Sequence, residues 1–469
     1  MESSSAQTLE DSSIRFAEFL AVTEFDQLPA VVVKHTKAAI LDALGCVLLG
    51  AGNSEIAPFD EYTRCGTFGP SSTLLGSGGK RAIPEHAVLR NCAAMHQFDF
   101  DDTFDLAPCH PSSASVISSL AVAESLGGVT GREWIVAVAL SNELTCRLSL
   151  AIRGKVHDYP WFRAPVVGIF GATAAAARIL GCHAGQHLQA LGLTLPAVGG
   201  TFASLQHPGS DVRSVRDGIA YRNGVLAAQL AKNGLRGDQQ VFDGPMGFFQ
   251  TYFLGQYERD VLTKALGEKY HAADVSLKPW PSIRHVHTAL TALDDLMCLT
   301  GLRGSDIAKV RVRVGEITRQ RCFPVKRGGL PGSRMDLLAN LPFAIANMVT
   351  HGSMPLDVYR YNTLADKVID TLEQKVEWLF DPRQTGSGTF ERSAVEIVAI
   401  NGSVHAAECD VARGHPANPM TDTQRHEKFT ACARLAPSPL NDVRIRAVIG
   451  FIENLDNVTD VSEVSKLLA

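Results

Sequence analysis

What the chain lacks narrows it first. It has no surplus of positive charge: 44 Lys and Arg stand against 49 Asp and Glu, a net charge of −5. With a sequence pI near 6.3, the basic footprint of a nucleic-acid binder is missing. No apolar run is long enough to span a bilayer, since the longest, residues 38–52, is interrupted by Asp42. Residues 1–13 are polar and acidic, unlike a secretory signal or an Arg-rich transit peptide. The ten cysteines have no repeated spacing, so they read as reduced thiols of a cytoplasmic protein. There is no P-loop, because G-S-G-G-K at 76–80 lacks both the spacing and the following Ser or Thr. Dinucleotide fingerprint, zinc motif, lipase-type nucleophile elbow, internal repeat and low-complexity tract are absent as well.

What is there is an ordinary globular composition, 45% apolar and 20% charged. At 469 residues the chain exceeds one core and should form two domains. Residues 28–50 carry apolar side chains at three and four spacing, with Pro29 suited to a first turn, and predict a long buried helix. Further helices are expected at 85–97, 112–126, 134–153, 165–180, 184–195 and 213–233. Several are rich in Ala and Ser, which predicts close packing. No strand is evident before about Tyr270, so the first half reads as all helical. The texture changes near Ser276. I-A-K-V-R-V-R-V at 307–314 alternates and predicts a strand. Residues 395–409 predict a hairpin about Asn401-Gly402, with helices at 287–300, 336–351 and 364–375 between. Beyond G-H-P-A-N-P-M at 414–420 the chain turns helical again. The expected fold is mainly α: a large helical domain (1–272), an inserted smaller α+β lid (273–412) and a return to the helical domain (413–469). A cleft between two such parts is a natural ligand site.

Chemistry concentrates at 99–113, D-F-D-D-T-F-D-L-A-P-C-H-P-S-S. Four carboxylates, a Thr and a His there precede Pro111, which sits where a first helical residue belongs. His110 therefore stands at a helix entrance whose free N–H groups favour an anion. Three readings are open: a D-D-x-x-D metal–diphosphate site as in helical terpenoid synthases, a solvated loop, or an acid–base wall. The first wants a second metal motif, N-x-x-S/T-x-x-x-E, which is missing, so no metal is expected. A second cluster is K-P-W-P-S-I-R-H-V-H at 278–287. Lys278 and Arg284 could hold carboxylates there, and a desolvated Lys can act as a base. His285 and His287 read as a helix start, one packed and one exposed. In Q-H-P-G-S-D-V-R-S-V-R at 206–216, Arg213 and Arg216 suit either an anion or a charged surface.

These motifs together resemble the MmgE/PrpD family, nearly end to end. The resemblance rests on 28–50, 99–113, V-V-G-I-F-G-A-T-A-A-A-A (166–177), D-G-I-A-Y-R-N-G-V-L-A-A-Q-L-A (217–231), 278–287 and N-P-M-T…K-F (418–429). It implies a helical domain with an α+β lid, usually as a homodimer, acting without metal or organic cofactor on small di- and tricarboxylates. It places Asp99, Thr103, His110 and Lys278 in the pocket, with Arg213 and Arg216 where relatives often have Lys and His. Phe162 stands where relatives commonly have a His, and Ile283 where animal decarboxylases have one. Arg163, Arg213, Arg216 and Arg284 could all face the cleft. The reaction implied is proton abstraction beside a carboxylate, with His110 as general acid/base. A 2-methylcitrate dehydratase-like lyase fits best. The alternatives are an epimerase, with Lys278 and Tyr159 as opposed bases, and a cis-aconitate-type decarboxylase, disfavoured by Phe162 and Ile283.

Overall fold

The computed structural model describes residues 10–63, 71–154, 158–202, 212–322, 334–359, 373–386, 388 and 390–469. The fold is mainly α. The Ala30–Gly50 helix follows Pro29 and is buried on every face from Ala39 to Gly50, so it lies inside the bundle. Around it run Pro84–Met95, Pro111–Leu126, Gly131–Ala151, Arg163–Ile179 and Val212–Lys232, packed on one another. Thr130 caps the Gly131–Ala151 helix in a reciprocal box with Glu133, a device worth about 1 kcal/mol. The small residues do what their density predicts. A Cβ on Gly224 would lie 2.7 Å from the Ile169 carbonyl, so the Val212 and Arg163 helices meet with backbone almost touching.

The stretch expected to form a lid holds a four-stranded sheet in the order Val376–Phe380, Ile307–Val314, Ser393–Ala399, Val404–Cys409. Its first pair is parallel and the other two are antiparallel. The Ile307 strand buries Ile307, Val310, Val312 and Val314 and turns Lys309, Arg311 and Arg313 outward. The expected hairpin turns at Asn401-Gly402, where Gly402 has φ +85 and the Asn401 side chain accepts from the Ser403 N–H at 2.9 Å. The His287–Thr300 and Leu341–His351 helices pack against this sheet.

Three features depart from expectation. The Val376–Phe380 strand was not foreseen; most of the helix expected at 364–375 lies outside the described residues. The helix expected at 336–351 divides into Arg334–Leu338 and Leu341–His351, because Pro342 starts a new helix and Asn340 caps it through the Phe343 N–H at 2.9 Å. The first half is also not free of strand. Ser72–Thr73 pairs with Arg81–Ala82, and Thr103–Phe104 pairs antiparallel with Val275–Ser276. Two-residue ladders are too short to leave a period in the sequence.

The C-terminal segment packs on the helical body. The Asp422–Arg434 helix lies on Ala30–Gly50, the Gly131 N–H donates to Val458 O at 2.9 Å, and the Val461 N–H donates to Val129 O at 2.9 Å. On the way it grips the lysine motif: Leu277 N–H donates to Gly414 O at 3.0 Å. Gly414 has φ +88, and a Cβ there would fall 1.9 Å from Leu277 O, so only glycine fits.

Candidate active site

The Pro84–Met95 helix ends in a short turn, and Asp99 follows with φ 46 in the left-handed region. That backbone costs an L-residue about 1–2 kcal/mol. Its carboxylate meets two cations: Lys278 Nζ lies 2.5 Å from Oδ1 and Arg213 donates to Oδ2 at 2.7 Å. Lys278 also donates to the Asp99 carbonyl at 2.7 Å. Burial disfavours the Asp99 anion, but Lys278, Arg213 and His110 override it and hold the carboxyl well below its ordinary range. The ladder explains the meeting. Thr103 pairs with Ser276, two residues before Lys278, so the acidic loop and the lysine motif are stitched side by side.

His110 immediately precedes the Pro111–Leu126 helix. Its Nδ1 lies 2.6 Å from the Asp102 carbonyl oxygen and 3.1 Å from Asp101 Oδ2. A carbonyl only accepts, so Nδ1 carries the proton. Nε2 is left as the nitrogen able to exchange a proton with a ligand, on a residue 9% exposed. Burial alone would depress His110, but the Asp101 carboxylate acts by charge and contact and raises its pKa to about 9. Asp101 Oδ2 is also 3.1 Å from His96 Nδ1, and His96 Nε2 is 3.7 Å from Asp217. The His96 contacts are close approaches that are out of line for a hydrogen bond. Asp102 differs from its neighbours: burial, only partly offset by the Ser112 N–H on its Oδ2 at 3.1 Å, lifts it to about 7. Thr103 Oγ1 is buried without a hydrogen-bond partner.

The Val212–Lys232 helix supplies the arginines from its first turn. Arg213 lies 3.9 Å and Arg216 3.5 Å from Asp217 Oδ2. Arg216 stacks on the Phe162 ring at 3.4 Å, and burial followed by the Arg213 charge lowers it to about 9. An anion placed there offsets both effects. Phe162 thus forms an apolar face under a guanidinium. Ile283 is half-buried and packs against the core. The residues 206–211 of the Arg213 motif lie outside the described residues.

Asp99, His110, Lys278, Arg213 and Arg216 gather in one buried cluster, and Thr103 is buried in the adjoining ladder. Three other expected site residues are otherwise engaged. The Arg284 guanidinium forks onto Asp105, with bonds of 2.7–3.1 Å, and also donates to Ser276 Oγ and Arg413 O. It is a buried strut, because a fork saturated this way has little left for a ligand. Tyr159 is half-buried, donates to Arg153 O at 3.2 Å and has its phenol pushed up by burial and by Asp158, which suits a base poorly. Arg163 is buried and donates to Gly154 O at 3.1 Å, with its charge near Cys109 and Tyr159. His287 is packed, 3.1 Å from Ser282 Oγ, and burial, Arg284 and Lys278 hold it well below its ordinary value. Asp101, Asp102 and His110 do present ligand atoms within 4.8 Å of one another. Of these groups, Nδ1–H of His110 and Oδ2 of Asp102 are engaged with protein groups. His96 and Asp217 were missed in the sequence. His96 sits at a helix end among apolar residues, and Asp217 among the arginines of its helix, where it reads as a surface ion-pair partner.

A carboxylate–lysine pair, a proton-bearing histidine and two arginines are buried close together, the side-chain chemistry that acid–base work on an anion requires. The chain belongs to the MmgE/PrpD family: the MmgE/PrpD N-terminal domain matches residues 14–260 and the MmgE/PrpD C-terminal domain matches residues 280–449. It is 26% identical to a cis-aconitate decarboxylase of Homo sapiens over 93% of this chain and 90% of that protein. It is 25% identical to the cis-aconitate decarboxylase-like protein oryM of Aspergillus oryzae, over 96% and 95%. A mitochondrial 2-methylcitrate dehydratase of Yarrowia lipolytica is 23% identical over 80% of this chain and 74% of that protein. The relatives therefore include both reaction types and do not favour dehydration over decarboxylation. No helix among the described residues is long and apolar enough to cross a membrane.

Proposed function

We propose that the chain is a lyase that acts on a small di- or tricarboxylate by moving a proton at a carbon beside a carboxylate, with His110 as the proton-transfer group. The observation that carries this is the fixing of His110 Nδ1 by the Asp102 carbonyl and Asp101, which leaves Nε2 for chemistry next to Lys278, Arg213 and Arg216. Those cations neutralise substrate carboxylates and stabilise the negative charge that develops on the enolate-like intermediate. Asp99 holds Lys278 and Arg213 together, and so spaces the carboxylates they receive.

Within that class we favour elimination of water from a 2-methylcitrate-like hydroxy acid. The protonated His110 donates to the departing hydroxide, and Asp102, poised near 7, is the carboxyl in the cluster suited to accept the proton from carbon. Ile283, at the position where the resemblance puts a histidine in animal decarboxylases, supports this over decarboxylation. Decarboxylation is the second reading. It is favoured by five matches named cis-aconitate decarboxylase or decarboxylase-like, each covering nine-tenths or more of both chains, and it needs only a proton donor: CO2 departs, its bonding pair stays on carbon, and His110 protonates that carbon.

The test is product analysis in D2O with 2-methylcitrate and with cis-aconitate. Alkene formed from 2-methylcitrate supports dehydration, and CO2 released from cis-aconitate supports the second reading. Deuterium incorporation with inversion and no new alkene would instead make the enzyme an epimerase. A homodimer is the expected assembly, checked by light scattering.

A further inference from the structure

Lys428 is a buried cation far in sequence from every residue named in the site, and its ammonium has three recipients. Its Nζ lies 2.6 Å from Asp42 Oδ1, donates to Phe100 O at 2.8 Å and donates to Lys278 O at 3.0 Å. It also sits 3.7 Å from the centre of the Phe100 ring. An ammonium has three N–H groups, so each is used and none is left for water or ligand. The residues are drawn from four places: the central Ala30–Gly50 helix, the acidic loop between Asp99 and Asp101, the lysine motif, and the Asp422–Arg434 helix. Two of the three acceptors are backbone carbonyls of the site itself, one of them belonging to Lys278.

We propose that Lys428 is a positioning residue, which sets the distance between the acidic loop and the Lys278 backbone by holding one carbonyl of each on a single ammonium, whose charge Asp42 neutralises. This rests on the assignment of Lys278 and the acidic loop to the active site. Lys428 touches no reacting atom. The ladder between Thr103–Phe104 and Val275–Ser276 aligns the two segments further along, but it is only two residues long and ends before Lys278. Lys428 closes the remaining gap. Its displacement tilts Lys278 against Asp99, and misplacement of a catalytic group by about 1 Å costs on the order of 100-fold in rate.

A bland role is also available to Lys428, that of neutralising a buried Asp42. Three variants separate the two. Lys428→Met removes all three donors, and kcat should fall about 100-fold, with a lowered Tm and little change in KM. Asp42→Asn/Lys428→Met removes both buried charges, which relieves the unpaired carboxylate; most of the Tm should return while kcat stays low. Asp42→Asn alone leaves the two carbonyl bonds in place, so it should lower Tm yet keep most of kcat. Wild-type kcat in the double variant, or a kcat loss in Asp42→Asn equal to that of Lys428→Met, overturns the positioning role. Lys278→Met, assayed beside them with 2-methylcitrate and cis-aconitate, keeps the two ideas apart. If it retains turnover, the site assignment fails and the proposal with it. If it is inactive and the double variant is fully active, only the role of Lys428 falls.

Discussion

Replacing Asp101 by Asn should move the alkaline limit of activity by several pH units. Asp101 Oδ2 lies 3.1 Å from His110 Nδ1, and its charge and contact lift His110 from 6.5 to about 9 against a burial penalty. A shift of that size corresponds to roughly 3 kcal/mol in favour of the imidazolium. With Asn in place the burial penalty remains and the main compensating charge is gone. Asp99 still favours the imidazolium and Lys278 still opposes it, so His110 should fall to or below its ordinary value. It is then neutral at pH 7. Because the proposed step uses His110 as a proton donor, kcat/KM of the wild type should hold up to about pH 9 and decline above it. In Asp101→Asn the same decline should appear below neutrality. The stability sign is fixed by the same shift. A histidine raised on folding contributes stability that is fully present below its unfolded value of 6.5 and is lost as pH climbs through about 9. The wild-type Tm should therefore sag across that window, and the variant should lose the sag. The assays are a kcat/KM profile against pH and an NMR titration of the His110 ring. An alkaline limit that stays near pH 9 in Asp101→Asn would refute the reasoning, since the group being titrated would not be the one Asp101 holds.

Other perturbations test the division of labour in the site. His110→Gln should abolish turnover and leave Tm close to wild type at pH values above 9, where the imidazolium no longer contributes. Lys278→Met strips one of two cations from Asp99 and should cost about 3 kcal/mol, the low end for breaking a buried ion pair because Arg213 remains, together with loss of turnover. Arg284→Met should cost about 3–5 kcal/mol by denaturant unfolding while turnover per folded molecule is kept, because its guanidinium is spent on Asp105. Tyr159→Phe removes a hydroxyl whose one hydrogen bond among the described residues is to the Arg153 carbonyl, and kcat should stay within a factor of about three, in line with a shift of under 1 kcal/mol.

The parts of the fold that announced themselves were those with a long period or a fixed-position residue. Pro111 marked the start of its helix, the alternation at 307–314 marked the central strand of the lid, and Asn401-Gly402 marked its hairpin, each as found. The elements that escaped are those whose reason lies in the tertiary structure. Val376–Phe380 is a strand because Ile307–Val314 offers it a parallel edge, and the Thr103–Phe104 ladder exists because the lysine motif arrives beside it. The site followed the same rule. Asp99, His110 and Lys278 were legible as motif residues, and the resemblance brought Arg213 and Arg216 with them. Nothing in the sequence said that Arg284 would be captured by Asp105, since both ends of that fork look like ligand-binding residues until they meet. His96 was hidden for the opposite reason: it reads as part of a helix end, and its place beside the site depends on a carboxylate five residues later turning back on it.

The central claim is tested most directly by a crystal structure of the chain with a tricarboxylate such as citrate bound. The account predicts carboxylates within hydrogen-bond distance of Lys278, Arg213 and Arg216, and the carbon skeleton facing Nε2 of His110. A ligand bound away from these residues, or one that reaches His110 from the Nδ1 side by displacing Asp101 and the Asp102 carbonyl, would contradict it.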